Sequence, residues 1–120
     1  MTGFKKFEEI QAWQKARIAT KRIYEITSDG KFAKDFGLRD QIRRSAVSIM
    51  ANIAEGQGRF SNKEFANFLN MAHGSVAETQ SHLYVASDLG YFDKTGFSEL
   101  YDLPGEVARM TMRLMKHLRS

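Results

Sequence analysis

The sequence predicts an all-α domain, an antiparallel up-down four-helix bundle, and three observations carry that prediction. Apolar residues recur at steps of three and four through four long segments, which places them on one stripe of each helix. The chain holds a single proline, Pro104, and no alternating β-branched run. The segments are joined by short glycine-bearing links, and short links between long helices favour antiparallel neighbours. The 120 residues amount to one domain, 1–120. A composition of 42% hydrophobic and 27% charged residues is that of a globular chain and not of a disordered one.

The first helix is predicted from about Phe7 to Thr27, with Ile10, Trp13, Ala16, Thr20, Ile23, Tyr24 and Thr27 on its inner stripe. Ser28-Asp29-Gly30 stops it, and Gly30 suits the left-handed backbone that often closes a helix. The second runs from Asp35 or Leu38 to Gln57, with Leu38, Ile42, Ser45, Ala46, Ile49 and Ile53 inward. Gly56-Gln57-Gly58 ends it, since glycine is unfavourable inside a helix and well placed just after one. The third runs from Asn62 to Leu89 behind a capping box at Ser61 and Glu64. Phe65, Phe68, Leu69, Ala72, Val76, Thr79, Leu83 and Ala86 form its stripe, and Gly90 ends it. The fourth runs from Thr95 to Leu118. Pro104-Gly105 in its middle predicts a kink or two shorter helices, because proline lacks the backbone donor and crowds the preceding turn.

Several chemistries are excluded or unsupported. With no cysteine there is no disulfide, zinc-thiolate site or thiol catalysis, and such a chain suits a reducing cytoplasm. The start, Met1-Thr2-Gly3-Phe4-Lys5-Lys6, has no long apolar run after its lysines and does not read as a signal peptide. No stretch approaches the ~18 uncharged apolar residues of a membrane span. Glu78 and His82 stand four apart, not in the Glu-x-x-His spacing of di-iron bundles, so no metal site or other cofactor is expected. Gly56-Gln57-Gly58 lacks the third glycine and the preceding strand of a dinucleotide loop. The serines offer no Gly-x-Ser-x-Gly elbow. The expectation is a non-enzyme without catalytic residues.

What remains is charge and surplus apolar surface. The formal charge of +4 permits a polyanionic partner without demanding one. Candidate nucleic-acid contacts are Lys15, Arg17, Lys21 and Arg22 on the first helix and Arg39, Arg43 and Arg44 on the second. The blander alternative is a solvated charged face, and Asp40 stands at the right spacing to pair with Arg44. Arg109, Arg113, Lys116 and Arg119 fill the end of the fourth helix, where the helix dipole alone favours cations. A buried or interfacial polar network is expected from Arg43, Asn52, Glu55, Ser75 and Glu78, because a buried carboxylate needs partners; the alternative is that Glu55 and Glu78 face water. Phe4, Ile18, Ile26, Val47, Met71, Val85, Leu103, Met110 and Met112 lie off the main stripes. So many on a small bundle point to self-association or a protein partner.

Whole strings of the chain also carry a resemblance. Gln41-Ile42-Arg43-Arg44-Ser45-Ala46-Val47-Ser48-Ile49, Ala51-Asn52-Ile53-Ala54-Glu55-Gly56, Ser61-x-x-Glu64-Phe65-x-x-Phe68-Leu69, Gly74-Ser75-x-x-Glu78 and Leu89-Gly90-Tyr91 resemble the bacterial four-helix-bundle proteins encoded in intervening sequences of 23S rRNA genes. That family's name marks where its genes lie, not a ribosomal role. The resemblance implies a ring-like homopentamer. It also implies similarity to the accessory protein of diversity-generating retroelements, a basic pentamer that works with a reverse transcriptase and binds nucleic acid. Two positions depart from the family pattern. Met50 stands where a proline is usual, and Pro104 within the last helix is atypical. On this reading the chain is an oligomeric scaffold for RNA or DNA, or else a module that binds a polymerase or another protein without touching nucleic acid.

Overall fold

The computed structural model describes residues 3–119; Met1, Thr2 and Ser120 lie outside the described residues, and with them part of the segment read above for a signal peptide. A 3₁₀ turn at Phe7–Glu9 leads into α1 (Gln11–Ile26), followed by α2 (Gly30–Lys34), α3 (Phe36–Gln57), α4 (Asn62–Asp88) and α5 (Lys94–Arg119). The described residues form no strand.

The four long helices make a bundle of 45 × 20 × 19 Å. Each packs against two others: α1 on α3 and α5, and α4 on α3 and α5. Side-chain pairs give the directions. Ser45 meets Thr79 at 2.8 Å and Ser48 meets Ser75 at 2.9 Å, so numbers rise along α3 as they fall along α4. Arg22 reaches Glu99 while Lys15 reaches Glu106, which sets α1 antiparallel to α5. Tyr84 meets Phe97, and Gln80 meets the Tyr101 carbonyl, which sets α4 antiparallel to α5.

Local chemistry fixes most ends. The Asp35 carboxylate accepts the Leu38 N–H at 3.2 Å and starts α3. Ser61 caps α4 by accepting the Glu64 N–H at 3.1 Å. Its hydroxyl turns to the Glu64 carboxylate at 3.3 Å, a variant of the expected capping box. At the other end of α4 the Tyr91 N–H returns to the Ala86 carbonyl and the Gly90 N–H to that of Ser87, with Gly90 at φ 75°. This is the paired closure that a left-handed residue permits.

Three expectations need correction. The first helix does not begin at Phe7, because Ile10 is extended at φ −78°, ψ 118° between the 3₁₀ turn and α1. Gly30 is left-handed at φ 64°, yet it opens α2 instead of closing α1. That short helix carries Phe32, 1% exposed, into one end of the bundle against Tyr91 and Phe92. Pro104 does not divide the last helix, for α5 is continuous and Pro104 is buried within it. Gln80 on α4 donates to the Tyr101 carbonyl at 3.3 Å, supplying a hydrogen bond beside the point where the proline interrupts the ladder. Gly105 leaves room for it, since a Cβ there would stand 3.2 Å from the Gln80 amide nitrogen.

The core falls into two clusters. One gathers Ile23, Phe32, Ile42, Ala46, Leu83, Ala86 and Leu100 at the α2 end. The other gathers Ile49, Ile53, Phe65, Leu69, Ala72, Val107 and Met115, with Ile10, toward the opposite end. The Ser45–Thr79 hydrogen bond lies buried between neighbouring turns of these clusters.

Candidate nucleic-acid interface

Helix packing sorts the seven basic candidates into two groups. Lys15 and Arg22 turn toward α5, where Lys15 meets Glu106 at 3.4 Å and Arg22 meets Glu99 at 2.8 Å. Arg22 also holds Glu25 at 2.8 Å, and its guanidinium is kept above its ordinary pKa by the hydrogen bonds to Glu25 and then Glu99. On α3, Arg39 spends its charge on Asp40 at 3.1 Å and on the Ala33 carbonyl at 3.0 Å, and it covers the Phe36 ring. Asp40 therefore pairs with Arg39, not with Arg44 as its spacing allowed.

Arg17, Lys21, Arg43 and Arg44 form the second group. They lie on the neighbouring helices α1 and α3, and none of the four has a carboxylate partner among the described residues. Arg17 extends over the Trp13 indole with its guanidinium carbon 5.8 Å from the ring centroid. Arg43 stacks on Tyr24 at 4.5 Å and donates to the hydroxyls of Thr27 at 2.8 Å and Ser28 at 3.2 Å. Those contacts hold the fork in place without neutralising it. Tyr24, placed by periodicity on the inner stripe, is 42% exposed because it forms this platform at the seam between the helices. Tyr24, Arg43, Arg44 and Val47 line a shallow hollow there, with Asp40 at its edge. A planar aromatic surface beside unneutralised cations can stack a base and contact phosphates.

The expected polar network is present in part. Asn52 donates to the Ser48 carbonyl at 2.9 Å and to the Ser48 hydroxyl at 3.1 Å, and Ser48 meets Ser75. Thr79, which donates to the Ser75 carbonyl and meets Ser45, extends the chain along the α3–α4 seam. The carboxylates stand outside it. Glu55 is exposed and pairs with Arg59 at 3.0 Å, and Glu78 is exposed and faces His82 at 3.5 Å. Arg43 serves the α1–α3 seam instead. The hydroxyls satisfy one another, so the buried carboxylates that would have needed a cationic partner never arise.

Among the described residues no group of three His, Asp or Glu side chains is placed to hold a metal ion. No helix is long and apolar enough to cross a membrane. Of the off-stripe apolar residues, Ile18, Val47, Met71, Val85 and Met112 are exposed, while Phe4, Ile26, Leu103 and Met110 are half-buried. Exposed Phe60, Tyr84 and Leu89 join the first set. They escaped the periodicity argument because Phe60 sits in a turn and the other two flank the α4 stripe.

Comparison with known proteins agrees with the bundle geometry. The model of the family described as 23S rRNA-intervening sequence protein matches residues 8–113. A solved structure from Bacteroides thetaiotaomicron, described as a protein with unknown function from the S23 ribosomal protein family, superimposes with a TM-score of 0.79. It shares 26% sequence identity over 88% of this chain and 98% of its own. No curated protein matches the chain. Because the family match spans nearly the whole bundle, from the 3₁₀ turn into the last turns of α5, the chain belongs to the 23S rRNA-intervening sequence protein family.

Proposed function

We propose that this chain is a non-catalytic, self-associating scaffold that binds nucleic acid, without base specificity, through its α1–α3 face. The observation that carries the reading is the grouping of Arg17, Lys21, Arg43 and Arg44 on adjacent helices, beside the Trp13 and Tyr24 rings and without carboxylate partners among the described residues. Cations already neutralised within the fold contribute little to phosphate binding, whereas these four retain charge that can displace counterions. Assembly into a ring-like homopentamer, as the family resemblance implies, would repeat the face around the ring and multiply its phosphate contacts. A protein free of cysteine suits a reducing compartment such as the cytoplasm, where nucleic acid is at hand.

The experiment is a comparison of two charge reversals. Arg17→Glu, Lys21→Glu and Arg44→Glu together remove cations that no carboxylate meets among the described residues. Lys15→Glu and Arg22→Glu remove cations already engaged by Glu106, Glu25 and Glu99. Fluorescence anisotropy with a short RNA duplex and a DNA duplex is expected to show the first variant losing most affinity and salt dependence. The slope of log K against log salt should fall by roughly 0.9 per lost DNA phosphate contact. The second variant should bind nearly as wild type does. Equal losses in the two would count against this face.

A second reading rests on α4, whose outward surface carries Met71, Tyr84 and Val85 and almost no positive charge. Such a face suits a protein partner, a reverse transcriptase or another enzyme. Co-purification of one protein through nuclease and high salt would favour it.

A further inference from the structure

Phe60 is 98% exposed on the tight turn between α3 and α4. A lone exposed apolar residue is ordinary, but a phenylalanine held in water on a short turn becomes informative when the same molecule carries a groove to receive it. Such a groove lies at the same end of the bundle, on the seam between the start of α1 and the end of α5. It is an open groove of about 410 Å³, with Phe4, Ile10, Met110 and Leu114 as its apolar wall and Glu9 and Arg113 at its rim. A cavity of roughly 150 Å³ already accepts a benzene ring, so a phenyl group fits with room for its neighbours.

Knob and groove occupy one level of the molecule. Phe4 lines this groove and also the hollow beside Phe60. They are built from different elements, the knob from the turn between α3 and α4 and the groove from α1 and α5. Only three residues separate Gln57 of α3 from the Ser61 cap of α4, so Phe60 has no length of chain with which to cross to its own groove. Charge matches as well. Phe60 is followed closely by exposed Lys63 and Glu64, and the groove is rimmed by Glu9 and Arg113, so each rim charge has an opposite to meet.

We propose that Phe60 of one copy seats in the α1–α5 groove of a second copy, making the α3–α4 turn the knob of a head-to-tail contact. Two unlike surfaces that meet form a heterologous interface, which closes into a ring when the rotation between subunits allows. The inference rests on the self-association part of the proposed function and names its interface.

The test uses light scattering on a sizing column with the full chain, wild type and two variants. Phe60→Ser removes the knob at a site that contributes nothing to the monomer core, and Met110→Lys places a charge at the groove. Glu9→Lys, at an exposed rim position, replaces Met110→Lys if circular dichroism shows that the latter fails to fold. Each variant alone is expected to weaken assembly by about thirty-fold or more, the range of an aromatic interface anchor. Mixed together they retain one intact knob and one intact groove per pair, so they should form a heterodimer of twice the 13.7 kDa chain mass and no ring. A wild-type monomer at high concentration would remove the self-association reading and this contact with it. A wild-type oligomer that Phe60→Ser leaves intact would overturn the contact alone.

Discussion

Ser45 and Thr79 show how the α3–α4 seam buries hydroxyls with their hydrogen bonds made. Their hydroxyls meet at 2.8 Å, and each also donates to or sits beside a carbonyl of its own helix, Ile42 for Ser45 and Ser75 for Thr79. Thr79→Val leaves the Ser45 hydroxyl with the Ile42 carbonyl alone and removes the cross-helix hydrogen bond, which should lower stability by about 1 kcal/mol in urea titrations. Either single change already removes the shared hydrogen bond, so adding Ser45→Ala should cost less than the two single losses sum to. Simple additivity would mean the pair is not coupled. Tyr91 gives a pH-dependent counterpart. Its hydroxyl donates to Asp35 at 2.8 Å, and that hydrogen bond, with burial and the Asp35 charge behind it, raises its pKa above the ordinary 10.0. A raised folded pKa means the contribution is intact below about pH 10 and is lost as pH climbs through the folded value. Alkaline unfolding followed by circular dichroism should therefore show a smaller loss of stability above pH 10 in Tyr91→Phe than in wild type.

Among the elements, two glycines on long helices behave oppositely. Gly56 lies buried near the end of α3, and a Cβ there would meet Phe68 Cβ at 2.7 Å and Phe65 Cδ1 at 2.9 Å. Gly74 is exposed in the middle of α4 with nothing within 4 Å of such a Cβ. Gly56→Ala should destabilise by about 1–3 kcal/mol through overpacking, despite its better helix propensity. Gly74→Ala should stabilise by roughly 0.5–1 kcal/mol. Thermal melts of the two variants check both signs. The same contrast marks what was legible beforehand. Ser61 and Gly90 act through neighbours within a few residues, so α4 begins and ends close to where they predict, and Asp35 settles which of its two expected starts α3 takes. The role of Gly56 depends on α4 and could be read only as a helix stop. Helix α2 went unseen because five residues are too few to show a period. Phe32 is buried by Tyr91 and Phe92, far along the chain.

At the scale of the whole molecule, assembly of the helices decides which charges remain available. Sequence spacing could place Lys15, Arg17, Lys21 and Arg22 together on α1. It could not show that Glu106 and Glu99, on the last helix, neutralise the first and the fourth. Nor could it bring Arg43 onto the Tyr24 ring of α1, since that follows from the packing of α1 on α3. The polar network was legible to the extent that Asn52 and Ser75 share a seam; Glu55 and Glu78 point to solvent, where Arg59 and His82 meet them. The basic face and the knob-and-groove surfaces lie on different parts of the bundle, so a ring could form while α1 and α3 remain open to a polyanion. The most direct test of this account is light scattering on a sizing column, at low and high salt, with and without a short RNA duplex. The account predicts an oligomer that takes up RNA mass at low salt and releases it at high salt while remaining assembled. A 13.7 kDa monomer that ignores RNA at low salt would contradict it.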